Sequence, residues 1–346
     1  MMSEEIQAKQ REMVRRAVDL WREQIQGRVA VVTGGARGIG RAIAEGLMAA
    51  GAQVVVGDKS WSGAEEFRRE LAESGHAMAL VMDVADEASL DRAYTAVLDR
   101  YGTVDVLVNN AALVSETLFY PMGHVKTLET KDEDWELMFR VNVFGVIKAI
   151  RRFVRPMLEK GRGSICNVIS SGVLPTTQGG AYFGLRPWTV EMPYQATKAA
   201  VMALTFYLAE EVWKEGVAVN AIMPGHTRAS WFDATAREWR QKGMVYFFRP
   251  VVPEHVIPIT LFLASQDGKG VAGRLFYVPE WNYDHGFGPY TAWADHSLPE
   301  DLEQMYSQLE EAAPKFERSG VSHLPFDAWA VSWLAGMQRL TRDEDQ

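Results

Sequence analysis

The chain has 346 residues, 47% of them hydrophobic and 23% charged, with a formal net charge of -9. This is the composition of a soluble globular protein long enough to bury a large core, and its acidic balance, with no compensating basic block, excludes a nucleic-acid surface and points to a small-molecule partner. One cysteine, Cys166, excludes an internal disulfide and any multi-cysteine metal site and fits a reducing cytoplasm.

Residues 1–26 place Ile6, Met13, Val14, Val18, Trp21 and Ile25 on one side of a helix and Arg11, Arg15, Arg16, Arg22 and Glu23 on the other. The pattern predicts a docking arm and neither a signal peptide nor a membrane span, and no later run reaches membrane length. From Arg28 an alternation begins: an apolar run at 29–32, a glycine-rich turn, a helix over 39–50, an apolar run at 53–56 and a helix over 62–74. Further strands are expected at 77–82, 104–109, 163–169 and 274–278. Short, nearly continuous apolar strands separated by helices predict an α/β fold with a doubly wound parallel sheet covered on both faces. The stretches 115–134 and 173–193 are long for connections, and loops of that length are functional or disordered.

The chain divides into an arm (1–26), a catalytic domain (27–280) and an extension (281–346) with a helix expected over 299–312. With Trp281, Tyr283, Phe287, Tyr290, Trp293, Trp329 and Trp333, the extension is too aromatic to be wholly solvated. It is expected to wrap a neighbouring subunit or to close a substrate cleft.

Two motifs carry chemistry. Thr33-Gly-Gly-Ala-Arg-Gly-Ile-Gly40 lies between the first strand and first helix, where a dinucleotide pyrophosphate sits on a helix N-terminus. Gly34, Gly38 and Gly40 allow the turn and the approach of backbone to phosphate. Tyr194 and Lys198 are four residues apart, which on a helix puts a phenol and an ammonium on one face. A nearby positive charge favours the phenolate, so the pair can act as an acid/base device; a packed ring beside a solvated charge is the competing reading.

Together with Asn109-Asn-Ala-Ala112, Asn142 in Val-Asn-Val-Phe-Gly, the run from Gly163 to Ser170, and Pro224-Gly225, these motifs resemble in type and order those of the short-chain dehydrogenase/reductase family over about residues 27–280. Ala112 departs from the family's usual glycine. The resemblance implies a Rossmann fold and reversible interconversion of an alcohol and a ketone, Tyr194 exchanging a proton with the substrate oxygen while a nicotinamide exchanges a hydride with the same carbon. It further implies that Lys198 lowers the Tyr194 pKa and holds the nicotinamide ribose, that Ser170 bonds the substrate oxygen, and that Asn142 positions a relay water. Cofactor contacts are implied for Gly34, Arg37, Gly38, Ile39, Gly40, Asp58, Asp83, Val84, Asn110, Ala111, Tyr194, Lys198, Pro224, Gly225 and Thr227. A homodimer or homotetramer is the family's usual assembly.

Several choices stay open on sequence alone. Asp58, ending the second strand, suits ribose hydroxyls and repels a 2'-phosphate, which favours NAD over NADP, whereas Arg37 could pair with that phosphate. Asp83-Val84 suits an adenine contact or, equally, a cap for the next helix. Ser171 competes with Ser170. Tyr182 competes weakly with Tyr194, since Arg186 stands where lysine is required and Pro187 interrupts the helix. An insertion carrying Tyr182, Phe183, Trp188 and Met192 separates Ser170 from Tyr194, and Trp231, Phe232, Trp239, Tyr246, Phe247 and Phe248 follow Pro224-Gly225. These rings either wall a bulky apolar or aromatic substrate, through Tyr182, Trp188, Trp231 and Phe232, or pack against the extension or another subunit. His226 and Arg228 bind substrate or are solvated. Ala229 lacks the hydroxyl common there, for which Ser230 could substitute. His124, His255 and His285 lack metal spacing, so no metal is assigned. The leading expectation is an NAD-dependent secondary-alcohol oxidoreductase; the alternatives are an NADPH-dependent 3-oxoacyl-type reductase and a non-catalytic dinucleotide sensor.

Overall fold

Seven short apolar runs become β1 (Val29–Thr33), β2 (Gln53–Asp58), β3 (Ala77–Val81), β4 (Val106–Asn109), β5 (Gly163–Val168), β6 (Val217–Met223) and β7 (Leu275–Tyr277), forming one sheet in the order β3-β2-β1-β4-β5-β6-β7. Every pairing is parallel. The structure is a computed structural model that describes residues 2–121, 123, 125–173, 192–242 and 249–312. Its helices are α1 (Met2–Ile25), α2 (Gly38–Ala49), α3 (Glu65–Glu73), α4 (Glu87–Tyr101), α5 (Ser115–Leu118), α6 (Asp132–Phe139), α7 (Gly145–Lys160), α8 (Tyr194–Val212), α9 (Phe232–Gln241), α10 (Ile257–Ser265), α11 (Val278–Asp284) and α12 (Glu300–Ala312). None is long and apolar enough to cross a membrane, among the described residues.

Strand residues alternate between two cores, as the two-residue repeat of a pleated strand requires. Ala30, Val32, Val54 and Val56 face the layer built with α1, α2 and α10, while Val29, Val31 and Val55 face that of α4, α7 and α8. The strand order reverses between β1 and β4, and such a switch point opens a crevice at the carboxyl ends of the strands.

The arm docks on its own chain. Trp21 packs against Phe262, Trp281 and Phe287 with ring centroids 6.1, 6.1 and 5.9 Å away, and Gln10 donates to the carbonyls of Ala292 and Ala294 at 3.1 Å each. The Arg16 guanidinium reaches the Gly286 carbonyl. Trp281, Phe287 and Trp293 are buried in that same core, so the first part of the extension is folded into the catalytic unit. Trp329 and Trp333 lie outside the described residues.

Boundaries differ from expectation where local chemistry intervenes. The last strand stops at Tyr277 because Val278-Pro279 opens α11, where proline, lacking an N–H, fits a first helical turn. The stretch 115–134 holds α5 and a 3₁₀ turn, Thr127–Glu129, before α6 begins at Asp132.

Candidate active site

The crevice is a cleft of about 690 Å³ running from the glycine turn to Trp231. Thr33, at the end of β1, ties the turn to β4: its hydroxyl oxygen accepts from the N–H groups of Asn110 and Ala111, and Asn110 Nδ2 donates to the carbonyls of Thr33 and Gly34 at 3.1 and 2.8 Å. Gly34 has φ +64, and a β-carbon at Gly40 would lie 2.3 Å from the Gly34 oxygen and 2.4 Å from Asn110 Nδ2. No other residue fits at either position. Arg37, at the N-cap of α2, is extended and caps no N–H with its side chain, so the first turn of α2 presents backbone donors to the cleft. A cradle of this shape and donor set fits a dinucleotide pyrophosphate.

Asp58 lines the cleft with its carboxylate oriented by the N–H groups of Ala36 (3.1 Å) and Ser60 (3.2 Å). Arg37 donates to the carbonyls of Ser60 and Ser62 at 3.3 and 2.8 Å. Asp83 and Val84 also line the cleft, and the cap of α4 is Asp86, whose carboxylate accepts from the Ala88 N–H. Asp83 is therefore not the helix cap.

At the other end, α8 begins at Tyr194, so Tyr194 and Lys198 occupy one face of its first turns, with Lys198 Nζ 5.6 Å from the tyrosine ring centroid. Both line the cleft together with Ser170 and Ser171. Lys198 is only 3% exposed, donates to the Val168 carbonyl at 2.8 Å, and burial lowers its pKa from 10.5 to about 8. The unfolded chain therefore binds more protons than the folded one between those values, and stability rises with pH across that window. Below it the buried ammonium costs on the order of 3 kcal/mol. Lys198→Met is expected to be inactive yet more stable than the parent at pH 7, by about 2 kcal/mol after allowing for the lost hydrogen bond. That advantage should disappear by pH 10.5, as urea midpoints at the two pH values would show.

Asn142 lies in a π-helical turn, Arg140–Phe144, joining α6 to α7. Such wide turns re-aim side chains. Its Oδ1 accepts from the Leu113 N–H at 2.7 Å, and its Nδ2 donates to the Leu113 carbonyl at 2.8 Å and to Thr197 Oγ at 3.0 Å. Fully buried, it stands behind the cleft wall and braces Leu113 against α8.

The substrate end is walled by Leu113, Val114, Leu137, Val141 and Trp231, with Pro224, Gly225, His226, Thr227 and Ser230 beside them. Phe232 does not contribute: it is fully buried and stacks on Tyr306 of α12 at 6.2 Å. Arg228 is neither solvated nor part of the wall, because it pairs with Asp233 (2.8 Å) and Asp295 (3.2 Å). Tyr182, Phe183, Trp188, Tyr246, Phe247, Phe248 and His124 lie outside the described residues.

Sequence reasoning missed the residues that hold this end in place. The ring nitrogens of buried His255 lie 2.8 Å from the carbonyls of Pro224 and Val252, and burial pushes its pKa down to about 4 against the pull of those carbonyls. Tyr290 donates to the His226 carbonyl at 3.2 Å. Arg237 on α9 forms a two-pronged pair with Asp301 at 2.9 and 3.0 Å, and buried Arg249 pairs with Glu303 and Glu310 at 2.6 Å each. Among the described residues nothing beyond Trp231 lines the cleft. The described extension buttresses the 224–241 segment from behind.

A Rossmann sheet with a phosphate cradle at its switch point and a tyrosine–lysine pair facing the same cleft defines a dinucleotide-dependent oxidoreductase. The short chain dehydrogenase family model matches residues 28–241. The chain belongs to the short-chain dehydrogenase/reductase family, whose members use NAD(P). It is 65% identical over 333 residues to fluoren-9-ol dehydrogenase of Terrabacter sp., covering 96% of this chain and 93% of that protein. A putative short-chain alcohol dehydrogenase from Sinorhizobium meliloti superposes with a TM-score of 0.58 at 26% identity, over 73% of this chain and 95% of the other. Gluconate 5-dehydrogenase from Burkholderia cenocepacia, solved with NADP and tartrate, gives 0.55 at 25% identity over 73% of this chain and 93% of its own.

Proposed function

We propose that the protein oxidises a flat aromatic secondary alcohol to its ketone, with NAD preferred over NADP. The observation that carries this reading is that Ser170, Tyr194, Lys198 and the glycine turn open onto one cleft that is also lined by Leu113, Val114, Leu137, Val141 and Trp231, with Glu116 and Arg140 among them. Identity to fluoren-9-ol dehydrogenase across arm, core and extension supports a fused-ring substrate. Gly34, Gly38, Gly40 and Asp58 would hold the dinucleotide in the cradle, and its nicotinamide would supply the acceptor for the carbinol hydride, the hydrogen with its electron pair. Tyr194, as phenolate, takes the hydroxyl proton; the Lys198 ammonium favours the phenolate; and Ser170 donates to the oxygen as it becomes a carbonyl. Leu113, Val114, Leu137, Val141 and Trp231 hold the rings and exclude water.

The NAD preference rests on Asp58, whose carboxylate is fixed where the second strand meets the glycine turn, while Arg37 is engaged by backbone carbonyls. Fluoren-9-ol is expected to drive NADH formation, with kcat/KM for NAD exceeding that for NADP by at least ~10-fold, or about 1.4 kcal/mol. Asp58→Asn should narrow that ratio by relieving repulsion of the 2'-phosphate. No oxidation of any aryl alcohol with either dinucleotide would sink the substrate reading, and an NADP preference would sink the cofactor reading.

A further inference from the structure

The proposed oxidation needs Ser170 to give a hydrogen bond to the substrate oxygen rather than receive one. A serine hydroxyl has one donor and two acceptor lone pairs, and its hydrogen rotates toward whatever acceptor its surroundings leave. Two donors are fixed on Ser170 Oγ: Gln195 Nε2 at 3.0 Å and the Gly172 N–H at 3.2 Å. Both lone pairs are thereby engaged. The hydroxyl hydrogen has no acceptor among the described residues, and Ser170 faces the cleft.

Gln195 is 8% exposed, follows Tyr194 in the first turn of α8, and has its amide flat against Gly172. A β-carbon at position 172 would lie 2.3 Å from Nε2 and 2.5 Å from the amide carbon, so only glycine lets the amide reach the serine. One helix turn therefore carries both the tyrosine and the group that orients its serine partner.

We propose that Gln195 is a positioning residue that sets the polarity of the Ser170 hydroxyl, aiming its hydrogen at the substrate oxygen and so directing the alcohol's own proton to Tyr194. This rests on the functional reading above and adds a proton direction to it. With both Ser170 lone pairs taken, the incoming alcohol cannot donate to Ser170, and the Tyr194 oxygen becomes its acceptor. In the reverse direction the same hydrogen bond polarises the ketone. Ser170 keeps its proton throughout, so the balance of the oxidation is unchanged.

Gln195→Glu tests this, since it is isosteric and places an acceptor where the amide nitrogen donates. It should turn the serine hydrogen away from the cleft and lower kcat for fluoren-9-ol as far as Ser170→Ala does, roughly 10²-fold for the loss of one oriented donor. Gln195→Met should lose less, because the serine is then merely free to rotate. Added to Ser170→Ala, Gln195→Glu should cost nothing more, since the amide acts through the serine. The carbonyl stretch of bound fluoren-9-one should lie at lower wavenumber in the parent than in Gln195→Glu or Ser170→Ala, with NADH affinity equal in all three. Parental kcat in Gln195→Glu, or a further loss on the order of 10-fold in the Ser170→Ala background, overturns the positioning role. A parent that oxidises no aryl alcohol with either dinucleotide overturns the functional reading and this proposal with it.

Discussion

Tyr194→Phe is expected to lower kcat for fluoren-9-ol by roughly 10²–10⁴-fold, the usual worth of a positioned general acid/base, and to leave NADH affinity within about threefold. The substitution removes one oxygen and keeps the ring. Lys198 retains its bond to the Val168 carbonyl and its place 5.6 Å from the ring centroid, and the glycine turn is untouched. Loss of turnover with intact dinucleotide binding therefore isolates the proton transfer. The bland reading of the pair, a packed ring beside a charge, makes the opposite forecast: phenylalanine would pack as well as tyrosine and kcat would not move. Single-turnover rates with NADH fluorescence titrations separate the two. Unchanged turnover and unchanged binding together would remove Tyr194 from the chemistry.

What could be read from the chain was what is local. Each strand is an apolar run of a few residues, the phosphate cradle is eight consecutive residues, and Tyr194 and Lys198 share one helical face. Gln195, His255 and Tyr290 act on Ser170, Pro224 and His226 across 25, 31 and 64 residues of sequence, and no spacing rule connects such pairs. Asn142 shows a middle case: its segment is recognisable, but only the π-helical turn reveals that its amide braces Leu113 behind the wall. For Phe232 the sequence leaves substrate wall and packing against the extension both open, and the spacing that separates them is visible in the chain. Phe232, Thr235, Ala236 and Trp239 recur at the i, i+3, i+4, i+7 spacing of an inward helical face, and all four are buried. That period turns Phe232 inward, and among the described residues Trp231 is the aromatic of this group that lines the cleft.

Tyr306→Ala is expected to cost about 3–5 kcal/mol, the range for deleting a fully buried aromatic ring, and to lower the Tm by on the order of 10 °C. Tyr306 is 0% exposed; its ring stacks on Phe232 and lies beneath the Arg249 guanidinium at 5.8 Å. The cavity would therefore open between α9 and α12, where the extension meets the segment bearing Trp231. Repacking of Phe232 into that space would draw its neighbour Trp231, 6.2 Å away, out of the cleft wall. The kinetic signature should be selective: KM for fluoren-9-ol rises several-fold, while KM for the dinucleotide, set at the opposite end of the cleft, stays put. Tyr306→Phe keeps the ring and should recover KM and most of the Tm, short of what the buried hydroxyl contributes. If Tyr306→Ala instead raised both Michaelis constants equally, or lowered Tm without touching either, the extension would be ordinary core and its hold on the substrate wall would be refuted.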